Sequence, residues 1–174
     1  LGEQGAPETF PKTESIDEWC TEVYKRAAVD QFNESHGVDV EASSEASLSA
    51  MFNPNKYGDG FGCSGARTII TVTEATDEAA ANEMVGDLQA IDDYFPTSSR
   101  DSISLQGAEG RFSYDPDPTY TLSSLDLKRG TLVISIIHAA VSAEPPESDV
   151  KDFLYRIAYL SLSMPLPPYV PASY

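Results

Sequence analysis

Cysteine and histidine are the side chains with which a small domain most often does covalent or metal chemistry. This chain has two of each: Cys20, Cys63, His36 and His138. Cys63 stands in GDGFGCSGARTIITVT, a glycine-rich stretch from Gly58 that runs into β-branched residues. Four chemistries are open to it. A cysteine nucleophile needs a histidine in a recognisable pairing, and neither His36 nor His138 lies in such a motif. A structural zinc site takes four closely spaced ligands, which two separate cysteines and two separate histidines do not offer. A lipid attachment site would need an apolar segment ahead of Gly62-Cys63-Ser64, and none precedes it. The fourth is a disulfide to Cys20, the other member of an even pair, and this is the predicted role. Closing a loop of about 43 residues contributes ~4 kcal/mol in the chain-entropy picture. Such a bond belongs to an oxidising compartment.

The other candidates are weaker. Asp115 and Asp117 alternate in YDPDPTY, with Asp126 farther along, as calcium-binding oxygens do. The prolines restrict that loop, and it lacks both the glycine bend and the distal acid. Asn53, Asn55 and Asp59 have Lys56 among them. Asp92 and Asp93 are adjacent at a predicted helix end, where solvation is the default. His138 ends an apolar strand and reads as a core histidine. The glycines around Ser64 do not have the spacing of a nucleophile elbow. A phosphate-binding glycine fingerprint is also missing. An envelope hydrolase would need polar groups converging on His138 or Ser64. The expectation is therefore no catalytic residue, no metal ligand and no cofactor.

Charge narrows the partners. Against 28 acidic residues stand 11 Lys and Arg, a formal net charge of -17 over 174 residues. Such a surface repels nucleic acid and anionic headgroups and attracts cations or a basic protein. No run approaches the roughly 18 to 20 apolar residues of a membrane span. The opening Leu1-Gly2-Glu3-Gln4-Gly5 is polar and lacks an initiator methionine, so a processed start is expected, with any export signal or lipidated cysteine ahead of Leu1.

Periodicity supplies the scaffold. Ser15 and Glu18 have capping-box spacing, and Ile16, Trp19, Cys20, Val23, Tyr24, Ala27 and Ala28 follow a helical period, which predicts a helix over 16–32. A short helix is expected over Glu45 to Phe52 within a long irregular connection. Arg67 to Thr73 is a strand by propensity. Thr76-Asp77-Glu78 opens a second helix with Ala80, Met84, Leu88 and Ile91 as its stripe, ended by Phe95-Pro96. Ile103 to Leu105 and Gly110 to Tyr114 are one bulged strand or two short ones. Thr119 to Leu127 and Thr131 to His138 form a hairpin around Lys128-Arg129-Gly130. Ser148 is expected to cap a last helix reaching Ser163. Strands joined by short turns imply an antiparallel sheet, so the expected fold is α+β with the helices packed mainly on one face.

Residues 1–14 are then an extended N-terminal arm, 15–163 a single domain and 164–174 a proline-rich C-terminal arm. Leu166, Pro167, Pro168, Tyr169, Val170 and Tyr174 of that arm are the predicted partner-binding residues, because a low-entropy polyproline-like segment suits a groove.

The order of IDEWC on a helix, GCSGARTIITV at the first strand, a helix, the hairpin LDLKRGTLVISI and a closing amphipathic helix resembles the small exported lipoproteins of mycolate-bearing actinobacteria. In their common form an aromatic residue follows the second cysteine; Ser64 and Gly65 stand there here. The resemblance implies a domain tethered outside the cytoplasmic membrane by an acylated N-terminal cysteine, or secreted. It also implies a place among accessory lipoproteins of membrane complexes such as the respiratory bc1–aa3 supercomplex. The expected function is a non-catalytic extracytoplasmic accessory domain bound to a membrane protein complex. The alternative is a small-ligand carrier or sensor of the cell envelope.

Overall fold

The computed structural model describes residues 8–40, 48–94 and 99–169. The chain is α+β. Its helices are α1 (Ile16–Arg26), α2 (Val29–Ser35), α3 (Glu78–Asp92) and α4 (Glu147–Ser163). Its strands are β1 (Ser49–Phe52), β2 (Gly58–Gly65), β3 (Thr68–Ala75), β4 (Ser99–Leu105), β5 (Ala108–Asp115), β6 (Tyr120–Arg129) and β7 (Leu132–Val141). All pair antiparallel in one sheet of order β1-β2-β3-β7-β6-β5-β4. The topology is two meanders. β1 to β3 build one half, α3 carries the chain across one face to the far edge, and β4 to β7 return until β7 closes on β3.

Alternation along the strands sorts the side chains between two faces. Phe61, Cys63, Ile70, Val72, Ile134, Ile136, Leu125, Leu127 and Phe112 take one face, under Trp19, Cys20 and Val23 of α1 and Val150, Leu154 and Ile157 of α4. Leu154 and Ile157 are wholly buried, and burying each such side chain stabilises the fold by about 1.5–3 kcal/mol. The second face carries α3, which packs Ala81 and Met84 on Ala75 and Val133. Close strand pairing demands glycine at positions such as 60 and 110. A Cβ on Gly110 would meet Asp126 O at 1.8 Å, and one on Gly60 would meet Val72 O at 2.0 Å.

Local chemistry sets most element ends. Ser15 Oγ accepts from Glu18 N at 3.1 Å and Asp77 Oδ1 from Ala80 N at 2.8 Å, so both helices start on side-chain caps. Ala66 and Arg67 both have positive φ, as a two-residue hairpin loop demands.

Four expectations need correction. The helix over 16–32 breaks at Ala28, whose φ is 54°. The break swings α2 round so that Val29 and Asn33 are buried, and Asn33 Nδ2 donates to Ala66 O at 2.9 Å. Where a helix over Glu45 to Phe52 was expected, residues 49–52 are a strand, because pairing with β2 sets Ala50 and Phe52 against the core; residues 45–47 lie outside the described residues. The hairpin loop is Gly130-Thr131, since Arg129 still pairs with Leu132. Of the two readings open for Ile103 to Leu105 and Gly110 to Tyr114, the structure has two strands, β4 and β5. Finally, α4 starts at Glu147 on the carbonyl of Pro146, which accepts from Asp149 N and Val150 N, so Ser148 is not its cap. The proposed stop at Phe95-Pro96 falls outside the described residues, although α3 ends just before it.

Candidate functional site

Cys63 is bonded to Cys20 across 43 positions with Cα atoms 5.7 Å apart. The bond ties α1 to β2 inside the core, where Cys20 and Cys63 are 0% and 1% exposed. It sits beside Trp19, whose ring meets Phe61 edge-on at 4.9 Å. Neither sulfur is available as a nucleophile or ligand.

The histidines serve one aromatic column. Phe32 stacks on Phe153 and on His36, each at 4.1 Å, and the buried His138 meets both phenylalanines edge-on. His138 Nε2 lies 2.8 Å from Asn33 Oδ1, while Asn33 Nδ2 donates to Ala66 O. That orientation of the amide makes Nε2 the proton-bearing nitrogen. Burial first, then the neighbouring charge of His36, holds His138 down at about 4, so it is neutral at pH 7.

His36 forms a trio the sequence did not suggest. Its Nε2 lies 3.0 Å from Asp149 Oδ2, and its Nδ1 lies 3.1 Å from Ser35 Oγ and 2.9 Å from Phe32 O. The residue types are those of a hydrolase triad, but the wiring is different. Phe32 O can only accept, so Nδ1 carries a proton. Asp149 also accepts, so Nε2 carries one too. In the protonated ring both nitrogens donate, which leaves no lone pair to take a proton from Ser35, and Ser35 Oγ is placed to donate to Phe32 O. Burial opposes the charge, but the bonds to Asp149 and Phe32 outweigh it and raise the pKa. The trio acts as a clasp between the end of α2 and the first turn of α4.

A second polar group lies under the C-terminal half of α3. Asp92 accepts from Ser113 Oγ and Ser124 Oγ at 3.3 Å. Ser135 Oγ donates to Asp126 Oδ1 at 2.8 Å, and Asp126 is 2% exposed. Arg111 Nη2 donates to Gln89 O at 2.9 Å and to Asp93 Oδ1 at 3.1 Å, closing the helix end onto β5. Arg100 bonds Asp92 O from β4. Burial, opposed by the Ser135 bond and reinforced by the Asp92 carboxylate, pushes Asp126 up to about 7. Asp92 therefore turns inward rather than into solvent. Reading the chain by motif makes Asp126 only a distant companion of Asp115 and Asp117 in a calcium-type set; the signal for its actual place was a single acid at an inward-facing position of an apolar strand.

The remaining candidates stay apart. Asp117 is spent on its own turn, accepting from Thr119 N at 2.8 Å and Tyr120 N at 3.0 Å. Asn55 Oδ1 accepts from Tyr57 N and Gly58 N in the β1–β2 turn. Ser64 is exposed on β2, on the face opposite His138. No group of three or more His, Cys, Asp or Glu among the described residues is placed to hold a metal ion. None of the described helices is long and apolar enough to cross a membrane.

The arms fold back where they are described. Glu8 pairs with Arg26 and Arg156, and Phe10 meets Tyr159 edge-on. Pro167 is buried, Leu166 and Tyr169 pack on the core, and Tyr169 Oη donates to Glu74 Oε1 at 2.6 Å. Pro168 is exposed; Val170 and Tyr174 lie outside the described residues.

Two open clefts flank α2. One of about 420 Å³ is bounded by Tyr24, Lys25, Asp30 and Gln31. The other, about 510 Å³, is shallower and holds His36 and Asp149 on its wall. The most exposed large apolar side chains lie elsewhere. Met51, Ile69, Ile91, Tyr94 and Tyr120 are 44–82% exposed. Register places Met51, Ile69 and Tyr120 on the face that carries α3. No protein-family model matches this chain, and no curated protein is similar to it.

Proposed function

We propose that this chain is a non-catalytic, extracytoplasmic accessory domain of the lipoprotein type, held at or secreted from the outer face of the cytoplasmic membrane, that associates with a membrane protein complex. The observation that carries the reading is the buried Cys20–Cys63 disulfide. Such bonds persist in oxidising compartments, which supports export. The acid excess favours a protein partner over nucleic acid or anionic lipid.

The alternative, a small-ligand carrier of the envelope, has less support. Side chains from α1, α4 and the sheet fill the interior, and the clefts beside α2 are open rather than enclosing. A carrier buries most of its ligand.

The test is purification from native membranes in mild detergent, with mass spectrometry of what accompanies the protein. Defined subunits of one complex, recovered in fixed ratio, are the expected result. Recovery of the domain alone would overturn the accessory reading and turn attention to the clefts.

A further inference from the structure

The second sheet face is divided in an unexpected way. Beneath the C-terminal half of α3 its floor is polar: Ser113, Ser124, Asp126 and Ser135. Among the described residues, the part that α3 leaves uncovered is mostly apolar, interrupted by the exposed Ser64, which pairs with Ile69. Ile69 pairs with Ile137, Leu122 with Ala139 and Tyr120 with Val141, and each of these pairs points to this face. Met51 stands on edge strand β1 opposite Gly62, whose missing side chain leaves the row between Met51 and Thr71 open. Ile91 sits one turn beyond Asp87, which Tyr57 binds at the foot of β2, so this flank of α3 borders the same area. A contiguous exposed apolar area rimmed by polar groups marks an interaction surface.

Charge selects the occupant. Arg26, Lys56, Arg100, Arg111, Lys151 and Arg156 are already held in internal ion pairs. Around the apolar area stand Asp115 opposite Leu122, Asp117 before Tyr120, Asp39 bonded to Val141 O, and Asp87 on α3. The nearby cations are Lys56, 4.0 Å from Asp87, Arg67, whose Nε donates to Asp39 O, and Arg100, set opposite Ser113 two residues from Asp115. A second copy would bring the same acids and the same net charge of -17. An anionic bilayer would be repelled as well. A basic rim is attracted.

We infer that the open half of this face, centred on Met51, Ile69, Ile137 and Tyr120, is the docking surface for a protein partner presenting an apolar ridge flanked by lysine or arginine. This rests on the accessory reading and places its contact on the sheet rather than on the C-terminal arm.

The test attaches benzophenone through a cysteine at Ile69→Cys, with Gln31→Cys on α2 as the control, and irradiates each labelled protein in native membranes. The expected result is a protein adduct from position 69 alone. Its cross-linked peptide carries apolar residues beside Lys or Arg, and its yield falls sharply above about 0.5 M salt. The Met51→Lys/Ile69→Lys double variant should lose at least roughly tenfold in recovery of the partner while melting like the parent. A dimer adduct, a lipid adduct, or protein adducts from position 31 only would overturn this surface and leave the accessory reading standing. If neither position yields an adduct and nothing co-purifies, the accessory reading fails, and this inference with it.

Discussion

The two faces of the sheet follow opposite rules. One is sealed by α1, α2 and α4 over an apolar floor and locked by the disulfide. The other has one helix, a covered floor that is apolar under the start of α3 and polar under its end, and mostly apolar residues where it is open. The contrast separates stability from recognition. Apolar area on the first face is removed from water by folding, so it stabilises the fold. Apolar area on the open half stays in water, so it gains nothing until something covers it.

The comparison can be broken first at the staple. Replacing Cys20 and Cys63 by alanine should lower unfolding free energy by ~4 kcal/mol, because it frees a long loop in the unfolded chain; urea titration reads this directly. Leu154→Ala, in the middle of the sealed face, should cost about 3 kcal/mol by the same assay. A cost under 1 kcal/mol would mean that this face is not the main source of stability.

Asp126 tests the polar floor. Its folded pKa of about 7 lies above the ordinary carboxylate range, so between pH 4 and 7 the folded state binds the extra proton. The stability it contributes is present in acid and lost as pH rises to about 7. Asp126→Asn should remove that loss and gain about 1–2 kcal/mol at pH 8, with little effect at pH 4. His138 acts in the opposite sense. Its pKa is lowered, so stability falls as pH drops from about 6.5 towards 4. Melts of the Asp126 variant against the parent at several pH values isolate the first effect from the second.

His36 is the smaller titration. Its folded pKa is raised, so its contribution is complete below the ordinary value near 6.5 and disappears as pH climbs through the folded value. Asp149 is half exposed, which limits the pair to about 0.5 kcal/mol. His36→Gln should therefore destabilise at pH 5.5 and match the parent at pH 9. The smallest effect sharpens the contrast most. Ile69→Thr should change stability by less than about 0.5 kcal/mol, whereas the same substitution at Ile70, one residue along and fully buried, should be severe.

Much of this was legible in the chain. Helix starts at Ser15 and Asp77, the β6–β7 hairpin and the pairing of an even number of cysteines all rest on interactions within a few residues or on simple arithmetic. The strand at Ser49–Phe52 was not legible, because four residues carry no period and only the β2 partner makes them extended. The break at Ala28 was not legible either; alanine prefers helix, and the positive φ accompanies the burial of Val29 and Asn33, with Asn33 bonded to Ala66 in the β2–β3 loop and to His138 of β7.

The candidate surfaces divide in the same way. Sequence alone determined the α+β class, the acidic character, the cysteine staple and most element positions, since these follow from composition, periodicity and capping. Only the tertiary structure decided that Leu166, Pro167 and Tyr169 rest on their own core. It also brought Ser35, His36 and Asp149 together as a charged clasp, and it left Met51, Ile69 and Tyr120 uncovered on one face. Those outcomes depend on which strands become neighbours and where α3 crosses. Both are set by packing between residues far apart in the chain, and no local pattern encodes them.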